Sequence, residues 1–172
     1  VPDGDERDKD VANGIRYAVD NGAKIINMSF GKGFSWDKNI VDSAVAYAES
    51  KGVLLVHAAG NNNSDNDEIP NYPNDTLWNG THTAANWIEI GASQPKRKKL
   101  ATDFSNYGKN NVDLFAPGQD IYSTIPGDKY AYFNGTSMAA PVAAGVAALV
   151  WSRYPNLTAV QIKQILMESG TA

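Results

Sequence analysis

The sequence predicts an α/β fold, a mostly parallel sheet covered by helices. Two observations carry this. Over the first sixty residues, stretches with helical spacing alternate with short apolar runs, the pattern of strand–crossover–strand units. Near the C-terminus, a glycine-containing turn opens directly into a long small-residue helix.

Each element follows from local chemistry. Val11, Ala12, Ile15, Ala18 and Val19 recur at helical spacing, with Asp8 and Asp10 near the N-terminus and Gly22 as a stop. The acidic residues before them read as a loop. Ala23–Ser29 is an apolar run suited to a buried strand. Ile40, Val41, Ala44, Val45 and Ala48 form a second helical face, closed by Gly52, and Val53–Ala59 is a second buried strand. Residues 60–83 turn to Asn, Asp, Pro and Gly, which is loop chemistry. Strands are predicted over Trp87–Ala92, Val112–Phe115, Ile121–Thr124 and Tyr130–Phe133. A long helix is predicted from Ser137 to about Tyr154. A last helix has Thr158 as its cap and Gln161 three residues on, a capping box.

The 172 residues form one domain without repeats or a low-complexity linker. Charged residues are 20% and hydrophobic ones 42%, a balance that excludes general disorder. No apolar run is long enough to span a bilayer; Ala139–Trp151 is short and interrupted by Pro141 and Gly145. A net charge of -4 argues against a nucleic-acid partner. The one basic run, Lys96-Arg97-Lys98-Lys99, reads as a solvated turn. The absence of cysteine excludes a thiol nucleophile, disulfides and thiolate metal sites.

Three segments carry chemistry. In Gly135-Thr136-Ser137-Met138-Ala139-Ala140-Pro141 a serine stands between a tight turn and a helix start, where free N–H groups point at the same spot as its hydroxyl. Taken alone, it is equally an N-cap. Ala58-Ala59-Gly60-Asn61 delivers an Asn amide at the C-terminal end of a buried strand, where parallel sheets place their sites. Such an amide is a neutral donor for an oxygen that becomes negative. Ile26-Asn27-Met28-Ser29-Phe30-Gly31 is a third strand end followed by small and polar residues.

Together these segments resemble the subtilisin-like serine proteases, and Phe104-Ser105-Asn106-Tyr107-Gly108 and Leu114-Phe115-Ala116-Pro117-Gly118 match in the same order. The resemblance implies a three-layer α/β/α fold and a peptide or protein substrate. It implies Ser137 as nucleophile, and Asn61 with the Ser137 N–H as oxyanion donors. Ser29, Phe30 and Gly31 would cradle an extended substrate strand, and Ala58, Ala59 and Gly60 would wall the pocket before the cut. Val142 stands where many relatives carry His, behind the nucleophile.

The family's Asp-Ser/Thr-Gly and His-Gly-Thr-His patterns have no match here, and the only histidines are His57 and His82. Neither stands in the family's context for a catalytic base. Residues 1–172 are therefore expected to be the C-terminal portion of one peptidase domain. The upstream half with the Asp and His would be a missing partner, and the sheet would be incomplete on its N-terminal side. No cofactor is required. Calcium often supports this family's loops, and Asp65, Asp67, Glu68 and Asp75 supply oxygen ligands, although solvated acidic residues explain them too. The compartment implied is secreted, periplasmic or cell-envelope, of bacterial type. A non-catalytic peptide-binding or scaffold domain is the alternative. An α/β-hydrolase esterase would need Gly-x-Ser-x-Gly and a later His, and has neither.

Overall fold

The computed structural model describes residues 5–94 and 100–170. In chain order the elements are α1 (Asp8–Asp20), β1 (Ile25–Met28), α2 (Lys38–Ser50), β2 (Leu54–Ala58), β3 (Thr76–Leu77), β4 (His82–Thr83), β5 (Trp87–Ser93), β6 (Leu114–Pro117), β7 (Ile121–Ile125), β8 (Lys129–Phe133), α3 (Thr136–Arg153) and α4 (Ala159–Glu168). The main sheet has the order β1-β2-β5-β6, every pair parallel. β3–β4 and β7–β8 are separate antiparallel pairs.

The strand period of two builds the layers. Leu54, Val56 and Ala58 with Ile88, Ile90 and Ala92 face α3 and α4. Leu55 and Trp87 face the opposite way, onto α1 and α2. A sheet buried on both faces needs apolar residues at every position, which explains the unbroken apolar runs. The same alternation puts His57 on the α1/α2 face beside Glu89, its partner in the β2–β5 register. The His57 ring Nδ1 lies 2.9 Å from Glu89 Oε1, and Trp87 Nε1 donates to Glu89 Oε2 at 2.7 Å. His57 is thus a buried structural histidine.

Ala139, Ala140, Ala143 and Ala147 form the buried face of α3, and their small size lets the helix lie close on the sheet. The Thr158–Gln161 capping box is present on α4. Gly22 and Gly52 end the first two crossover helices with φ of 82° and 68°.

α1 begins at Asp8, with Asp8 and Asp10 in its first turn as the sequence placed them, where they suit the helix dipole. Two sequence expectations shift. β6 spans Leu114–Pro117, not Val112–Phe115. Pro117 is tolerated because β6 is an edge strand with no ladder partner on its outer side among the described residues. Residues 60–83 include the β3–β4 pair. The basic run Lys96–Lys99 lies outside the described residues. At the other edge of the sheet, β1 has no outer partner among the described residues. On α3, Val146 and Leu149 are exposed, Leu149 by 73%. No helix among the described residues is long and apolar enough to cross a membrane.

Candidate active site

Ser137 owes its position to the chain just before it. The Gly135 N–H donates to Gly118 O at 2.8 Å, and Gly135 has φ of 157°, which disfavours any side chain there. Thr136 is almost fully buried, and its N–H donates to Asn61 Oδ1 at 2.9 Å. The Thr136 hydroxyl donates to the same oxygen at 3.1 Å and accepts from the Gly60 N–H at 3.1 Å. Asn61 is thereby oriented. With Oδ1 engaged twice, its Nδ2 is left without a protein partner among the described residues.

Ser137 is the second residue of α3, so its N–H is one of the helix's orphan donors. A Cβ built on Gly135 would lie 3.5 Å from Asn61 Nδ2 and 3.6 Å from Ser137 N. Both donors therefore lie next to Gly135, and a side chain at 135 would pack against them.

Pro141 explains a further contact. Having no N–H, it cannot bond the carbonyl four residues earlier, which is that of Ser137. The Ser29 hydroxyl donates to this carbonyl at 2.8 Å and accepts from Asn27 Nδ2 at 2.8 Å. Ser29 therefore ties β1 to the start of α3.

Of the eight residues singled out from sequence, Phe30, Gly31, Ala58, Gly60, Asn61 and Ser137 line one open groove of about 610 Å³. Ser29 and Ala59 do not line it. Ala59 is fully buried, its N–H bonded to Ile90 O and its carbonyl accepting from Asn66 Nδ2. Asn71 was not foreseen. Its Nδ2 donates to Ala58 O at 3.0 Å, and its amide lies where a Cβ on Gly31 would come within 2.7 Å. Asn71 thus bridges the two walls of the groove. It stands in an Asn-rich loop whose composition marks turns but singles out no one side chain.

No histidine lines the groove among the described residues. His57 is held under the sheet by Glu89, and His82 Nε2 lies 2.6 Å from Glu49 Oε2 on the surface.

The four acidic residues considered for calcium do not assemble, and no cluster of three or more metal-ligating side chains exists among the described residues. Burial pushes the Asp67 carboxyl up, but N–H groups of Asn110, Asn111 and Lys109 outweigh it and hold the group below its ordinary value. These donors occupy the oxygens a cation would need. Asp75 lines a cavity of about 350 Å³, which Asp67 also borders, together with Glu89 and Asp113. Burial and those two carboxylates raise it, against the opposing charge of Lys163. As placed, the four residues do not fit a calcium ion.

The sequence profile of the Subtilase family matches residues 2–172. The chain belongs to the subtilase family. It is 41% identical over 161 residues to the thermophilic serine proteinase of Bacillus sp. (strain AK1), covering 94% of this chain and 36% of that protein. It is 38% identical over 161 residues to alkaline elastase YaB of Bacillus sp. (strain YaB), covering 94% of this chain and 38% of the relative. Subtilisin BL of Lederbergia lenta is 35% identical over 162 residues, with 94% and 54% covered. Among solved structures, an S41 psychrophilic protease superposes with a TM-score of 0.80 at 33% identity, over 96% of this chain and 56% of that one. The patellamide maturation protease PatA gives 0.77 at 33%, over 95% and 58%. The chain spans between about a third and just over half of the curated relatives it matches. The family's three-layer α/β/α arrangement is the one formed here by α1 and α2, the sheet, and α3 and α4.

Proposed function

We propose that this chain is the nucleophile-bearing C-terminal portion of a subtilisin-like serine endopeptidase exported by a bacterial cell, and that it is inactive by itself. One observation supports the reading: two donors with no protein partner among the described residues, Asn61 Nδ2 and the Ser137 N–H, both lie next to Gly135, and Asn61 and Ser137 line one open groove. That is the arrangement acyl transfer needs.

A peptide lies extended along Ser29-Phe30-Gly31, paired through its backbone. Ser137 attacks the carbonyl, and Asn61 and the Ser137 N–H hold the oxyanion. A histidine supplied by the upstream segment takes the hydroxyl proton and returns it to the leaving amine. Water then releases the acyl group. Ala58 and Gly60 wall the pocket for the residue before the cut, and Ala59 supports them from beneath. The edge of β1, unpaired among the described residues, and the exposed apolar residues of α3 suit docking of the upstream half.

The test is to assay the purified chain on an unfolded protein and to treat it with a serine-directed phosphonate. Neither turnover nor stoichiometric labelling is expected, because a serine hydroxyl without a base is a weak nucleophile. Removing the histidine of subtilisin itself lowers kcat by about 10⁶-fold, and that scale is adopted from the relative. Adding a polypeptide that carries the upstream Asp and His should restore both. Robust labelling of Ser137 that depends on His57 or His82 would overturn the reading. An upstream sequence without Asp and His would favour a non-catalytic peptide-binding domain.

A further inference from the structure

Asn61 stands outside regular structure, one residue beyond the turn at Gly60, yet its amide has to be placed to a fraction of an ångström. Thr136 orients the side chain. The backbone on either side of Asn61 is held by something else. We propose that Asn106 and Asn66, a buried pair of amides, are positioning residues for the oxyanion donor; the inference rests on the assignment of Asn61 above.

The bonds form a closed set. Asn106 Oδ1 accepts from the N–H of Asn62 at 2.8 Å and of Ser64 at 3.1 Å. Asn106 Nδ2 donates to Asn66 Oδ1 at 2.9 Å, and Asn66 Nδ2 donates to Ala59 O at 2.9 Å. The Asn106 N–H donates to Gly60 O at 2.9 Å. The side-chain amides therefore hold Ala59, Asn62 and Ser64, and the Asn106 backbone holds Gly60, the residues that bracket Asn61.

The chemistry suits amides. Asn106 accepts from two N–H groups at its oxygen and donates from its nitrogen, which an ionised carboxylate, having no donor, cannot do. The pair is buried, Asn106 exposed by 4% and Asn66 by 7%, so these bonds are not exchanged with solvent. The fit is close as well. Gly60 has φ of 107°, and a Cβ on it would come within 2.5 Å of Asn106 Nδ2. The Asn106 amide packs directly against the turn that launches Asn61. Asn106 borders the groove at only 4% exposure, with its side-chain oxygen bonded to the Asn62 and Ser64 N–H groups, and both residues act through the position of Asn61 Nδ2.

The test is a double-mutant cycle in the complete catalytic domain, with the Asp- and His-bearing segment present. Asn106→Ala is expected to lower kcat by up to about 10²-fold with KM nearly unchanged. In an Asn61→Ala background the same change should have little further effect on kcat, because the donor it positions is gone. An equal fall in both backgrounds, or a change confined to KM, overturns the proposal. If Asn106→Ala does not fold, Asn66→Ala takes its place. That variant removes the donor to Ala59 O and the acceptor for Asn106 Nδ2 without adding a charge, and the same dependence on Asn61 is expected of it. Should Asn61→Ala alone leave kcat unchanged, the oxyanion assignment falls and this inference with it. A sensitive Asn61→Ala combined with additive losses overturns the positioning role alone.

Discussion

Thr136→Val separates orientation of the oxyanion donor from mere packing. Valine keeps the β-branched shape in a site where Thr136 is only 1% exposed, so the core around α3 is undisturbed. Two hydrogen bonds disappear, the hydroxyl's donation to Asn61 Oδ1 and its acceptance from the Gly60 N–H, each 3.1 Å long. Gly60 is half-buried, so water partly compensates its freed N–H, and the stability loss should be about 1–2 kcal/mol. The catalytic effect follows separately. Asn61 Oδ1 keeps only the Thr136 N–H, at 2.9 Å. Losing one orienting bond worth about 1 kcal/mol in the transition state lowers kcat roughly fivefold. Urea unfolding of the chain reads the first effect. Steady-state kinetics of the complete protease on a peptide amide read the second, with KM expected to stay within about twofold. Thr136→Ser, which keeps the hydroxyl, should recover most of the rate. A Thr136→Val enzyme with full kcat, or a Thr136→Ser enzyme as slow as it, would refute the orienting role.

Asn61→Ala in the complete protease should lower kcat on the order of 10²–10³-fold while KM barely moves, a magnitude adopted from the same residue type in another subtilase; an unchanged kcat would end the oxyanion assignment. Gly31→Ala should push the Asn71 amide off Ala58 O and into the groove, since the new Cβ would stand 2.7 Å from it. Its signature is a raised KM for peptide substrates, relieved by adding Asn71→Gly. Asp8→Ala should destabilise the chain by about 3–5 kcal/mol, because the buried Lys32 ammonium, 2.7 Å from Asp8 Oδ1, keeps only the Glu6 carbonyl. Burial raises the Asp8 carboxyl, but Lys32 and the Asp37 N–H outweigh it and hold it below the ordinary 3.8. The depressed group therefore stabilises the fold fully above that value, and the contribution is lost as pH falls through its folded pKa. The gap in urea midpoint between wild type and Asp8→Ala should be smaller at pH 3 than at pH 5; parallel curves would contradict the ion pair.

The sequence by itself determined the features whose signals are local. Helices α1, α2 and α4 were legible because their apolar residues recur at helical spacing and Gly22, Gly52 and the Thr158–Gln161 box mark their ends within a few residues. The central strands were legible because a sheet covered on both faces needs unbroken apolar runs. Ser137 and Asn61 were legible as candidates because a free N–H at a helix start and an amide at a strand end are properties of short segments. Only the tertiary structure decided what meets across the chain. The Ser29 hydroxyl turns to Ser137 O, 108 residues away, because Pro141 leaves that carbonyl free. Ala59 lies beneath the groove and not in it, since strand alternation and Asn66 bury it. Asp67 is consumed by the 109–111 loop. Among many asparagines, Asn66, Asn71 and Asn106 reach the walls and the turn of the site; local composition singles out neither Asn66 nor Asn71, and the segment 104–108 gives no sign of what the Asn106 amide holds. A side-chain amide finds partners by where the folded backbone places it, and that placement is set by packing between elements far apart in sequence.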